Sequence, residues 1–362
     1  MNKTLFKYLI KRTYPGIIIS FFIMLIFYIL PLATIIVNST TLYGNDNTLY
    51  SKYTNYSDTC LYLLTIVILI FAYFIPILVR GLVLKKAKCD VYLSLPIKKS
   101  KLYITTSLFG YLAIISTWSL AFLIGIVISL SKGLPVNYLY YLFYALTMYL
   151  LSFAAYATSS LLVSLANNEL DAWLITILGI LISLFIDQSI MNLFYSSKIS
   201  FYVNGSPILA ANILTTYFEK AAIIYPTDVY NYFMSLDIYL PKFGYQEIFS
   251  YVIPTLTICI ASPLAYLQTM KFKAENAGQL SEYNYSYRLI LPLFLLCLLY
   301  VQDISNYFSI DSLLTLSIFI AYSSIVYFVL YFIAKRKIKF DLVMVLTYFI
   351  TLGLALGLSY LS

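Results

Sequence analysis

Long stretches of the chain carry no charged side chain: residues 13–45, 59–79, 102–131, 133–168, 172–186, 248–270, 289–302, 312–334 and 342–362 are among them. A helix satisfies its own backbone groups, and about 20 apolar residues carry it across the hydrocarbon core of a membrane. Most of these stretches reach that length, so the expected fold is an all-α polytopic membrane protein. Only 10% of the residues are charged, against about 25% in a soluble domain. No polar segment is long enough to hold a soluble core of its own.

The basic residues set the orientation. Eighteen of the 23 fall into four clusters: Lys3 to Arg12, Arg80 to Lys101, Lys271 to Arg288, and Lys335 to Lys339. Loops that stay in the cytoplasm retain Lys and Arg. With the clusters inside, the inner side holds 18 basic and 6 acidic side chains, and the outer loops hold 5 basic and 8 acidic. The net charge of +8 is therefore a topology signal, not a nucleic-acid footprint. Membrane lipid is the expected partner, and nucleic acid is not.

Residues 1–15 read as an N-terminal amphipathic interfacial helix, with Lys3, Lys7 and Lys11 on one face and Leu5 and Leu9 on another. Pro15-Gly16 is expected to break the path before span 1 at 16–38. A cleaved signal peptide is the competing reading, but the apolar run at 17–37 is too long and "LATIIVNST" is a poor cleavage site. An outer loop at 39–59 leads to span 2 (60–80), an inner loop (80–102) and span 3 (102–130), where Ser100 is placed to cap. Span 4 (138–165), a short inner turn at Asn167–Asp171 and span 5 (172–194) follow. Residues 195–246 read as an outer segment of interfacial or re-entrant helices before span 6 (247–270). A linker at 271–288 precedes three further spans within 289–362. Nine spans put the N-terminus inside and the C-terminus outside. Eight is the alternative, because only 14 residues separate Arg288 from Asp303 in span 7.

Several chemistries are excluded. There is no histidine, so His-based acid/base catalysis, His proton relays and His zinc sites are absent. No phosphate-binding G-x-x-x-x-G-K-[ST] loop is present. Cys60, Cys89, Cys259 and Cys297 are scattered without metal or disulfide spacing. No catalytic residue, bound metal or bound cofactor is expected. Asp187 is the ionisable residue inside a span. It is read either as an interfacial carboxylate or as part of a substrate cavity. With so little charge at mid-membrane, energy for transport would have to come from another subunit.

The loop 80–102 is the richest segment. Leu82, Ala87, Val91 and Leu95 form a loose apolar stripe on a helix that Pro96 ends. It is either a basic loop that fixes topology or a contact surface.

The run "KCDVYLSLPIKKSKLY" resembles the loop between the second and third spans of permease subunits of bacterial ABC transporters, type-2 exporter class. The matching residues are Asp90, Ser94-Leu95-Pro96 and Lys98-Lys99. "KFKAENAG" after span 6 is similar to a second family segment through Lys273, Glu275, Ala277 and Gly278. The N-terminal helix, the short turn after span 4 and the outer helices before span 6 fit the same plan. The resemblance covers about 1–280, and residues 289–362 resemble the extended, Firmicute-type members. It implies a six-helix exporter permease core, 16–270, plus about three extra C-terminal transmembrane helices in the bacterial cytoplasmic membrane. It further implies a separate ABC ATPase subunit that carries ATP and Mg, and a second permease as homo- or heterodimer partner. By this resemblance the ATPase-coupling residues are Lys88, Asp90, Tyr92, Leu93, Ser94, Leu95, Pro96, Glu169, Glu275, Ala277 and Gly278. The chain is then no enzyme by itself. An ion-coupled secondary transporter and a non-transporting scaffold are the alternatives.

Overall fold

The computed structural model describes residues 3–40, 46–86, 89–90, 97–131, 138–195, 245–279, 287–301, 313–338 and 340–361. Every regular element among them is helical: α1 (Lys3–Thr40), α2 (Asp46–Leu84), α3 (Lys99–Ser131), α4 (Tyr138–Ser164), α5 (Glu169–Tyr195), α6 (Tyr245–Lys271), α7 (Tyr287–Val301), α8 (Leu313–Lys335) and α9 (Leu342–Leu361), with a 3₁₀ turn at Ala274–Asn276. Six of them, α1 to α6, are long and apolar enough to cross a membrane, and α7 to α9 contain shorter apolar segments. The protein has the architecture of a multi-pass membrane protein.

The chain divides into two compact units. The first takes α1, α2 through Ile75, α3 from Ser100, α4 through Ala157 and α6 through Cys259. Its core is aromatic. Trp118 stacks on Phe122 with centroids 4.8 Å apart, and Tyr149 meets Trp118 edge-on at 5.5 Å. Gly125 leaves room for Tyr28, whose ring occupies the space a Cβ would take. Lipid tails give apolar side chains little reason to prefer protein, so close packing and interhelical hydrogen bonds hold such helices together. Both are present. Tyr144 and Thr65 hydroxyls lie 2.7 Å apart, Ser119 and Tyr149 also 2.7 Å, and Thr147 and Tyr251 2.8 Å.

The second unit takes α2 from Pro76, α4 from Thr158, α5, α6 from Ile260, and α7 to α9. Here α7 packs on α5, α8 and α9, with Leu291, Leu295 and Leu299 buried. Residues 336–341 lie between α8 and α9. The pair is stitched by Tyr327 and Thr347 hydroxyls at 2.7 Å and by the rings of Tyr327 and Tyr348, 5.7 Å apart.

Four expectations need correction. Helix α1 passes through Pro15-Gly16 without a break. A proline removes one backbone donor, and one lost bond does not end a helix of 38 residues. Leu5 and Leu9 are buried, and Phe6 meets Phe109 of α3 edge-on at 5.5 Å, so this end of α1 packs on protein. The outer loop expected at 39–59 is mostly helix, since α1 reaches Thr40 and α2 starts at Asp46. Ser, Thr, Asn and Tyr lower helix propensity only by a few tenths of a kcal/mol each, about 0.7 at most, and helix continuation outweighs that. Ser100 lies inside the first turn of α3, which begins at Lys99, and does not cap it. Residues 82–84 are the last turn of α2 rather than the start of a separate loop helix.

Candidate functional site

A cluster of charged and amide side chains of the second unit stands at the start of α5. The preceding turn ends on Asn168, whose side-chain Oδ1 accepts the backbone N–H of Asp171 at 2.8 Å. Asn168 is therefore the helix cap, and its amide nitrogen also donates to Asp171 Oδ2 at 2.6 Å. Glu169 and Asp171 occupy the first turn, where the helix dipole favours negative charge.

Three connecting segments meet here. The first is the stretch after α2. Lys85 pairs with Glu169 at 2.5 Å, and the Glu169 carboxylate lies over Gly81, where a Cβ would stand 3.5 Å from Oε1. Arg80 donates to the backbone carbonyl of Ser160 at 2.7 Å, tying the end of α2 to the end of α4. The second segment is the α4–α5 turn itself, Leu165–Asn168. The third is the stretch after α6. Gly278 donates its N–H to the Asn167 carbonyl at 2.9 Å, and Asn168 donates to the Gln279 carbonyl at 3.0 Å. Gly278 has φ 79°, a conformation that only glycine adopts without strain, and a Cβ there would meet Lys86 Cβ at 3.7 Å. Lys99, at the start of α3, donates to the Phe272 carbonyl at 3.0 Å.

Two further elements reach the same point from the C-terminal helices. Tyr287, the first residue of α7, donates to Asp171 Oδ1 at 2.9 Å. Arg336, just past α8, places Nη2 3.5 Å from the same oxygen. Asp171 is only 1% exposed, and these donors satisfy its buried oxygen. Arg336 itself has φ 52°, an uncommon left-handed conformation for a residue with a side chain.

Several residues named from the sequence stand at this junction. Glu169 carries the ion pair with Lys85, Ala277 is buried, and Gly278 makes the backbone contact. Glu275 lies exposed on the 3₁₀ turn. Asp90 is exposed beside Cys89, which is buried and whose N–H bonds the Lys85 carbonyl at 2.8 Å. Burial, then the Asp90 charge, push the Cys89 thiol above its ordinary range. Lys88, Tyr92, Leu93, Ser94, Leu95 and Pro96 lie outside the described residues, as does the outer segment 196–244. Asp187 sits on α5, with its side chain outside the described set.

Asn168, Asp171, Tyr287 and Arg336 were missed as site residues. The Asn-x-x-Asp spacing before an apolar run signals a helix cap and could have singled out Asn168 and Asp171. No local pattern marks Tyr287 or Arg336. Chemically, the junction offers an acidic and basic surface braced from below, and among the described residues no group of His, Cys, Asp and Glu is arranged to hold a metal ion. No family model, curated protein or solved structure matches the chain.

Proposed function

We propose that this chain is the transmembrane subunit of an ATP-driven exporter in the bacterial cytoplasmic membrane, with its basic junction facing the cytoplasm. A separate ABC ATPase binds ATP and Mg and docks on that junction. A second permease core completes the substrate pathway. The observation that carries this reading is the joining of the segments after α2, α4 and α6 through Lys85–Glu169, Asn167–Gly278 and Asn168–Gln279. A loop that only fixed topology would need none of these ties. A surface that receives a push from a soluble partner needs all three segments to move together. The charge asymmetry and the resemblance of 88–103 and 271–278 to exporter permeases support the same reading.

The test is co-expression with candidate ABC ATPases, followed by co-purification and ATP turnover in liposomes. Asp90→Lys and Glu169→Lys place opposite charge on the docking face, and such mismatches in a contact cost several kcal/mol. Both variants should insert normally and lose ATPase capture. Lys52→Glu, on the first part of α2, should capture it as well as the unaltered chain. Full ATPase binding by both charge-reversed variants would sink the reading, as would transport by the purified chain alone.

A further inference from the structure

An apolar groove of about 380 Å³ opens between α5, α7 and α8, lined by Leu174, Leu178, Leu181, Phe294, Val326 and Leu330. Its volume lies within the range of small-ligand sites, roughly 300–1,000 Å³. Among the described residues no polar side chain lines it, so none of these can orient a polar ligand inside. Its rim residues Ile325 and Val329 are 62% and 48% exposed, so the groove is open along its side and a chain can enter laterally. Charged groups stand toward one end. Leu174 is one turn past Asp171 on α5, and Leu330 lies about 7 Å before Lys335 along α8. At that end stand Arg288, Lys335, Arg336 and Lys337, all exposed. The acidic groups facing them are Asp171, which is buried against Tyr287 and Arg336, and Asp341, which accepts from Tyr331 at 3.4 Å. Among the described residues, four positive charges stand there against two negative ones.

We propose that this groove binds one acyl chain of an anionic phospholipid, with the phosphate headgroup held by Lys335 and Lys337. An open apolar groove with basic side chains beyond one end complements a molecule with an apolar tail and an anionic head. Basic pockets between membrane helices are known to select such headgroups. The site does not depend on the exporter reading, because it lies wholly among α5, α7, α8 and the stretch between α8 and α9.

The full chain is reconstituted into phosphatidylcholine vesicles containing a trace of photoactivatable lipid, with the diazirine in the acyl chain. The headgroup is either phosphatidylglycerol or phosphatidylcholine, and labelled peptides are mapped by mass spectrometry. Phosphatidylglycerol should label 174–181 and 325–330 in excess over phosphatidylcholine, by about fivefold for each basic side chain engaged. Lys335→Gln with Lys337→Gln should bring the two lipids close to equality, and Val329→Trp, which fills the slot, should abolish both signals there. High salt should reduce the preference of the unaltered chain, which serves should the double variant fail to insert. Equal labelling by the two lipids, a preference untouched by salt, or labelling centred elsewhere overturns the proposal.

Discussion

The phenol of Tyr287 donates a hydrogen bond to Asp171 across 116 residues of sequence, at 2.9 Å. It joins the first residue of α7 to the first turn of α5, and Arg336 approaches the same oxygen from the end of α8. One buried carboxylate thus links the C-terminal helices to the turn that caps α5.

Removing that hydroxyl tests the link directly. Tyr287→Phe should cost about 1–2 kcal/mol, a charge-assisted bond reduced toward the smaller values found between membrane helices. Asp171→Asn should cost more, about 3 kcal/mol, because Arg336 loses its counter-charge and the oxygen that accepts from Asn168 becomes a donor. The double variant should lose less than the sum of the two. Unfolding by detergent titration measures all three, and strict additivity would mean that the two side chains do not interact.

Cys89 should resist alkylation in the folded protein. Its thiol is buried and its pKa is raised, first by burial and then by the adjacent Asp90. The thiolate is the reactive form, so labelling by maleimide should be negligible at neutral pH and climb as the pH passes above the usual thiol range, about 8.5. Asp90→Asn removes a negative charge and should lower the pKa and speed labelling at fixed pH. Rapid labelling at neutral pH in a chain with Cys89 as its only cysteine would contradict the buried placement.

Gly278→Ala should strain the segment after α6. The backbone there is left-handed, so a side chain costs about 1 kcal/mol even though the nearest neighbouring atom leaves space. Gly278→Asn should be better tolerated, since asparagine enters this region more readily than alanine. The comparison is read by thermal stability in detergent. An alanine variant as stable as asparagine would show that the turn relaxes.

Gly125→Val should be severely destabilising, because its Cβ would overlap the Tyr28 ring. Pairing it with Tyr28→Ala should recover part of the loss, as the space vacated by one residue receives the other. Detergent-solubilised yield and unfolding midpoint report the rescue, and absence of any recovery would point to a different clash.

Charge-free runs located the membrane helices well, because crossing a bilayer imposes length and composition on each segment separately. The spans read at 102–130 and 138–165 correspond to α3 (Lys99–Ser131) and α4 (Tyr138–Ser164), both long and apolar enough to cross a membrane. The ends of α1 and α2 were less legible, since Ser, Thr, Asn and Tyr look like loop yet oppose a continuing helix only weakly. At the junction, Glu169 and Gly278 are named through the resemblance to exporter permeases, and no local rule of composition or spacing singles them out. The convergence of Tyr287 and Arg336 on Asp171 is purely tertiary. Nothing in the neighbourhood of any of the three announces the other two.

Four of the ties at the start of α5 and its surroundings end on backbone carbonyls: Arg80 on Ser160, Lys99 on Phe272, Gly278 on Asn167 and Asn168 on Gln279. A carbonyl is the same in every amino acid. Evolutionary drift at 160, 167, 272 and 279 can therefore replace the side chain, within the room available, without erasing the bond. Across relatives of this chain, the side-chain donors at 80, 99 and 168 should stay fixed while their acceptors vary, leaving these bonds invisible to pairwise covariation.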